Sequence, residues 1–396
     1  VYFVEYVYDG TNSCVQALNC PANPNPADYN STYNSNPAVD NGGNGFESLA
    51  HPEHTSYSFY NQETYHVTNA LSLTAGVRFT HDRLESDPAN YFAAPTYLYG
   101  ESSAITERGT VSYDLTPVNN VYLTYSTGYK PGASNLESES DPPLLVPFVA
   151  KPETLTSYEF GSKNDLFDKR ARFNLSSFFY QYKDFQFAAE DPNPYTGGVA
   201  NIPHSEVYGL EGEWSVLLPY GLRVDANGSL ERSRITSHYL ALDPVVGNSI
   251  NIADANNGIG LFDPQNIQNR VDAERDVYGH SLPKLPKVSA NLSLFDVQDL
   301  GNLGTLSSRV QMDYHSQFDY RVFANSSTDV VKMAFLVDLN LDYQPSSSPW
   351  DFQLTVTNLF DRTFVDSKYT DSFGVGSTSY EYDPPRQIIF KAGYKF

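Results

Sequence analysis

The chain has 396 residues, a formal net charge of -22 and a sequence pI near 4.6, so it has no basic surface to displace counterions from a nucleic-acid backbone. No run of about 18 apolar residues occurs, which excludes helical membrane spans. Only 2 Cys, 2 Met and 2 Trp accompany 30 Tyr and 24 Phe, an aromatic-rich composition that suits strands.

The opening VYFVEYVYDG carries no initiator Met and none of the basic, apolar and small-residue regions of a secretion signal. It is expected to follow processing or to lie partway through a larger protein. A long join from Asp9 to Glu53 comes next and holds Cys14, Cys20, Tyr29 and Tyr33. In an oxidising compartment Cys14 and Cys20 suit a local disulfide. A metal-thiolate pair is the minor alternative, because no further ligand stands at a recognisable spacing. His51, Glu53 and His54 could touch a metal, yet they have neither a helix setting nor a third partner, so solvated loop histidines are the expectation.

In ALSLTAGVRFTHDRL, Leu71, Leu73, Ala75, Val77 and Phe79 alternate with Ser72, Thr74, Gly76, Arg78 and Thr80, the period of a strand with one oily face. A join from Glu85 to Ser103 contains Tyr91, Phe92, Tyr97 and Tyr99. These aromatics, with Tyr29 and Tyr33, suit a planar or sugar-like ligand by stacking and hydrogen bonding, with girdle or loop packing as the competing role. Further strands follow, and in VVKMAFLVDLNLDY the residues Val331, Met333, Phe335, Val337, Leu339, Leu341 and Tyr343 again share a face. The last segment, PRQIIFKAGYKF, places Ile388, Phe390, Ala392, Tyr394 and Phe396 on one side.

The joins alternate in length. Short, turn-rich ones lie near Asn69, at Thr116 to Asn120, Asn164 to Lys169, Leu218 to Gly221, near Gly301, and at Gln344 to Pro349. Long ones lie at Asp9 to Glu53, Glu85 to Ser103, Pro131 to Thr154, Gln186 to Pro203, Ser237 to Lys284, Ser316 to Asp329 and Leu359 to Arg386. About fourteen long strands joined this way predict an all-β, transmembrane antiparallel β-barrel with short periplasmic turns and long extracellular loops. A soluble antiparallel sheet is the competing fold. In a barrel, strand parity sends Arg78, Lys130, Glu159, Glu211 and Glu213 into the lumen, to pack there or to touch ligand.

Several stretches resemble the barrel of TonB-dependent outer-membrane receptors. VTNALSLTAGVRFTHD (67–82) carries a Gly-x-Arg, and VYLTYSTGYKPGASN (121–135) a Gly-Tyr-Lys-Pro-Gly loop entry. KPETLTSYEFGSKNDLFDKRARFNLSSFFYQYKDFQ (151–186) holds Lys-Pro-Glu, Tyr-Glu-x-Gly-x-Lys, Asp-x-Arg and Tyr-x-Asp in family order. NIPHSEVYGLEGEW, VTNLFDRTF and PPRQIIFKAGYKF resemble the Gly-x-Glu strand, the Asn-Leu-x-Asp segment and the closing strand. The resemblance covers roughly residues 55–396.

It implies a 22-stranded barrel with a plug, of which this chain is the C-terminal portion, so a plug and roughly eight strands are expected upstream. It also implies an outer-membrane location in a Gram-negative bacterium, TonB-driven uptake of a scarce ligand, above all a ferric siderophore, and Tyr394 and Phe396 as a C-terminal assembly signal in the periplasmic girdle. The expected partners are the inner-membrane TonB complex, reached through the plug, outer-membrane lipid and lipopolysaccharide, and a small-molecule ligand. No cofactor is implied. A passive porin-like barrel, a structural or adhesive barrel, or uptake of a carbohydrate or cobalamin-type ligand are the alternatives. No Gly-x-Ser-x-Gly, His-Glu-x-x-His, phosphate loop or dinucleotide fingerprint occurs, so an enzyme is not expected.

Overall fold

The computed structural model describes residues 3–7, 49–89, 98–135, 149–194, 196–370 and 378–396. Its main element is a 14-stranded antiparallel sheet in which every strand pairs with its sequence neighbour in the sheet. The strands are β1 (Phe3–Val7), β2 (Leu49–His66), β3 (Leu71–Ala89), β4 (Leu98–Thr116), β5 (Asn119–Lys130), β6 (Glu153–Leu166) and β7 (Ala171–Glu190). They continue as β8 (Gly197–Leu217), β9 (Arg223–Ile235), β10 (Val288–Asp299), β11 (Thr305–His315), β12 (Ala334–Gln344), β13 (Trp350–Thr357) and β14 (Gln387–Tyr394). Among the described residues, β1 pairs with β2 alone and β14 with β13 alone.

The joins at one end of the sheet are tight. Only two residues separate β4 from β5, and Phe167, Asp168 and Lys169 turn the chain between β6 and β7 with left-handed φ of 53°, 55° and 66°. At the other end the described joins carry structure of their own. The strands continue further than expected there, because β7 runs to Glu190 and β8 begins at Gly197, which shortens the join expected from Gln186 to Pro203. The join 236–287 contains two helices, α1 (Pro244–Asn256) and α2 (Pro264–Asp272), where the sequence reading found almost no helical pattern. Each helix begins with an Asp-Pro pair. Asp243 accepts a hydrogen bond from the Val245 amide at 3.1 Å and Asp263 from the Gln265 amide at 2.9 Å, while proline occupies the first turn, where its missing N–H costs nothing.

Register fixes two faces. Val111 pairs with Leu123, Leu123 with Phe160, Tyr158 with Phe179 and Phe179 with Tyr208; Leu210 pairs with Leu230 and Leu230 with Val288. The same face continues through Leu292 with Met312, Met312 with Val337, Leu339 with Val356, and Val356 with Ile388. Leu123, Phe160, Leu230, Ile388 and Phe390 are all more than half exposed, so among the described residues nothing covers this apolar face. The opposite face pairs Thr110 with Thr124, Thr124 with Glu159, Glu211 with Ser229, Asn227 with Asn291 and Asn340 with Thr355. Oily outside and polar inside is the alternation of a lipid-embedded barrel, in which all backbone groups are paired strand to strand.

A buried apolar cluster sits on the polar-face side at the loop end. Phe178 and Val207 belong to the sheet proper, and Phe187, Ala200, Ile202 and Ile235 lie toward the loops, covered by Ala241, Val277, Leu282 and Val322. A kink makes this possible. Asp184 takes a left-handed φ of 55° opposite Pro203, which has no N–H to donate, and the register is unchanged on either side, with Lys183 on His204 and Phe185 on Ile202. Parity therefore inverts in both strands, so that Ile202 and Ser205 are both buried and Tyr182 meets Phe185 edge-on at 5.8 Å. Without that inversion Phe185, Phe187 and Ala189 would lie on the opposite side.

Candidate ligand-facing site

The polar face is a lattice of carboxylates, amides and hydroxyls. Tyr122 donates from its hydroxyl to Glu159 at 2.5 Å, and the Lys163 ammonium lies 5.6 Å from the Tyr122 ring centre. Asn174 donates to Glu213 at 3.2 Å and the Ser229 hydroxyl to Glu231 at 3.1 Å. Further round the sheet Asn291 and Gln311 both donate to Asp313, and the Arg309 Nε donates to the Ser293 hydroxyl at 2.9 Å. A cavity on this face is lined by Tyr122, Glu159, Glu211, Glu213 and Asn227. Tyr122 lies directly over Gly161, where an added Cβ would sit 2.4 Å from the ring.

At the loop end the apolar cluster is overlaid by joins tied together through buried charge. Arg270 of α2 is fully buried. It donates to Glu190 at 2.5 Å, to the Pro192 carbonyl at 2.6 Å, to the Asp191 carbonyl at 3.1 Å and to Asn251 of α1 at 3.2 Å. Asp254 holds the two helices to one another by accepting from Asn266 at 3.0 Å and from Asn269 at 2.8 Å. Arg321, in the join 316–333, donates to Asp243 at 2.9 Å and to Asp329 at 2.7 Å, and Asn325 donates to Asp243 at 2.9 Å. The Lys368 ammonium, in the join 358–386, donates to the Thr328 carbonyl at 2.9 Å and lies 5.0 Å from the Tyr380 ring centre. Three joins that are far apart in sequence thus form one hydrogen-bonded body, positioned on the polar-face side of the protruding β7–β8 hairpin.

The electrostatics of this body follow from burial. Desolvation raises the Glu274 pKa, helped by the nearby Asp191 charge, and raises that of Asp319, helped by Asp329. Burial lowers the Lys368 pKa and pushes the Tyr239 phenol up to about 12. Asp276 is held low by its hydrogen bond to His238.

Strand parity places Arg78, Lys130, Glu159, Glu211 and Glu213 together on the polar face. Arg78 donates to Ser58 at 2.8 Å and to Thr80 at 3.1 Å. Of the loop aromatics, Tyr99 is placed on β4, with its hydroxyl donating to Glu101 and the Arg83 guanidinium 5.3 Å from its ring centre. Tyr29, Tyr33, Tyr91, Phe92, Tyr97, Cys14 and Cys20 lie outside the described residues. Tyr394 packs edge-on against Trp350 at 5.0 Å and against Phe396 at 5.1 Å. The sequence reading missed Arg270, Arg321, Asp243 and Lys368. Only Asp243 was signalled locally, by the Asp-Pro helix start.

The family described as TonB dependent receptor-like, beta-barrel, matches residues 18–359. The pesticin receptors of Yersinia enterocolitica and Yersinia pestis are each 28% identical over 181 residues, which is 45% of this chain and 26% of theirs. Among solved structures, the ferric yersiniabactin uptake receptor FyuA from Yersinia pestis superposes with a TM-score of 0.66 at 19% identity, over 88% of this chain and 47% of that one. The ferric-catecholate import receptor Fiu of E. coli gives 0.63 at 17%, over 89% and 47%. The ferripyoverdine receptor of Pseudomonas aeruginosa gives 0.59 at 20%, over 89% and 40%. The chain therefore spans about a quarter of the curated relatives and less than half of these solved chains. With the matched segment covering most of its strands, the chain belongs to the TonB-dependent receptor β-barrel family of the Gram-negative outer membrane.

Proposed function

We propose that the chain is the C-terminal barrel portion of a TonB-dependent active transporter that takes up a scarce small ligand, a ferric siderophore above all. The observation that carries this reading is the body of joins welded over the polar-face side of the sheet by Arg270 and Arg321. Loops fixed to one another in this way offer the preorganised surface that ligand capture needs. In this reading Arg78, Lys130, Glu159, Glu211 and Glu213 line the lumen, and their work is to pack against a plug and to hydrate the passage. Tyr29, Tyr33, Tyr91, Phe92 and Tyr97 supply stacking surfaces at the mouth, whereas Tyr99, which shares the outward face of β4 with Ile105 and Val111, is set apart from them.

The process is binding and gated passage, with no covalent chemistry assigned to any residue. Its energy comes from the inner-membrane TonB complex acting on a plug. Cys14 and Cys20 form a local disulfide in the exterior loop, and Tyr394 with Phe396 serve as the assembly signal at the periplasmic rim.

The reading is tested by uptake of radiolabelled ferric siderophores into cells expressing the full-length protein, with and without TonB. Saturable accumulation that collapses without TonB or the proton gradient supports it. Non-saturable, TonB-independent entry of small solutes assigns a passive channel instead.

A further inference from the structure

The lipid face is interrupted on β2, β3 and β4. Near the short turns Tyr65, Leu73 and Val111 form one apolar row across the three strands, and nearer the loops Phe59, Phe79 and Ile105 form another. Between them lie two rows of a different kind: Glu63, Ala75 and Gly109, then Asn61, Val77 and Glu107. Because oily rows bound them on both sides, Glu63, Asn61 and Glu107 lie within the hydrocarbon belt and not at its rim. All three are exposed, and none joins an ion pair among the described residues. On β12 to β14 the same face pairs Leu341 with Leu354, Leu354 with Phe390, Leu339 with Val356 and Val356 with Ile388, with no such break.

Hydrocarbon cannot hydrate a carboxylate, and side chains of this kind inside a membrane pair with other polar groups. The shape and chemistry of the patch select the occupant. Its β2 flank projects long polar side chains, Asn61 and Glu63. Its β4 flank offers the acceptor Glu107 and the bare backbone of Gly109, where an added Cβ would meet nothing within 4 Å. A two-fold axis along the membrane normal, passing in front of Ala75 and Val77, sets the β2 flank of one copy against the β4 flank of the other, and the reverse. Each Asn61 has two amide N–H groups to give, one toward its own Glu63 and one toward the partner subunit's Glu107. Each Glu63 meets the recess over the partner subunit's Gly109, and the small residues at 75 and 109 let the two sheets approach closely. Donor thus meets acceptor and projection meets recess, twice over, without a foreign cation.

We propose that Asn61, Glu63, Glu107 and Gly109 form the interface of a two-fold homodimer within the outer membrane. The interface rests on the assignment of the sheet's faces and is independent of which ligand is transported.

The test uses full-length protein carrying one fluorophore per chain, reconstituted into phosphatidylethanolamine and phosphatidylglycerol vesicles over a series of lipid dilutions and counted by single-molecule photobleaching. The wild type is expected to bleach in pairs at densities where the combined Asn61→Leu, Glu63→Leu, Glu107→Leu variant bleaches singly, a weakening of at least about tenfold. Gly109→Leu, which fills the recess and changes no charge, is expected to weaken pairing about fivefold or more. Leucine is native to a lipid face, and heat-modified gel mobility checks that each variant folds. If the triple variant does not fold, Asn61→Leu and Gly109→Leu carry the comparison. In cells, co-expressed Asn61→Cys and Glu107→Cys copies are expected to be joined by a bismaleimide, whereas Leu341→Cys and Leu354→Cys copies are not.

Single steps for the wild type at every density, equal pairing by the variants, or equal joining of the control copies each overturns the proposal. Joining of Glu107→Cys to a different polypeptide, with the wild type bleaching singly, also overturns it and gives the patch to a foreign chain. TonB-dependent uptake is scored separately, so its failure leaves the dimer measurement standing.

Discussion

Arg270 and Glu190, eighty residues apart, meet at 2.5 Å with the arginine fully buried, and through them α2 is pinned to the tip of the β7–β8 hairpin. The guanidinium also takes two carbonyls and Asn251, so the charge is compensated on every side. Removing one partner of such a pair strands the other. Arg270→Met is therefore expected to cost about 3 to 5 kcal/mol in local stability, releasing 236–287 while the sheet stays folded. Hydrogen exchange should show faster exchange across α1 and α2 and unchanged protection in β10 to β13. Unchanged exchange in the helices would refute this role for Arg270.

Gly161 and Tyr122 are paired across β5 and β6, and the ring occupies the space where any other residue at 161 would place its Cβ. Gly161→Val is expected to displace the ring, break its hydrogen bond to Glu159 and cost about 1 to 3 kcal/mol through overpacking. Urea unfolding in detergent micelles measures the cost. Tyr122→Phe, which keeps the ring and loses only the hydrogen bond, should cost about 1 kcal/mol.

The pH response of the welded joins has a defined sign. Glu274 and Asp319 have folded pKa values raised by burial, so their contribution is fully present below the unfolded carboxyl pKa and is lost as pH rises through the raised value. Lys368, whose pKa is lowered by burial, is penalised when protonated and gains stability as pH rises toward its unfolded value of about 10.4. Asp276 contributes above the unfolded carboxyl pKa and loses its contribution as pH falls through its lowered value. Between pH 4 and 7 the expected trend from Glu274 and Asp319 is looser joins at higher pH. Glu274→Gln should flatten the trend in 236–287, as read by hydrogen exchange corrected for intrinsic rate.

The alternating strands were legible because lipid on one side and water on the other write a period of two into each strand, as in Leu71 to Phe79 and Ile388 to Phe396. Tight turns were legible from their Pro, Gly and Asn. The helices were passed over because polar residues such as Asn248, Asn251, Gln265 and Asn269 obscure their period, although Asp243-Pro244 and Asp263-Pro264 are helix-start signals. The parity inversion at Asp184 and Pro203 depends on two strands breaking opposite one another, which is a property of register. Nothing local marks Arg270 as buried, since its partners come from a hairpin tip nearly eighty residues earlier.

The division of the sheet into a lipid face and a lumen face is tested most directly by paired substitutions on β9. Leu230 faces the apolar side and Asn227 the polar side, three residues apart. In reconstituted bilayers, Leu230→Arg is expected to lower unfolding stability by more than about 1 kcal/mol, though by less than the roughly 2 to 4 kcal/mol of an arginine at the midplane, because Arg232 already stands one step nearer the interface on the same face. Asn227→Arg, held in water beside Glu213, is expected to change it by less than about 1 kcal/mol. Equal costs at the two positions, or a larger cost at Asn227, would contradict the assignment of the faces.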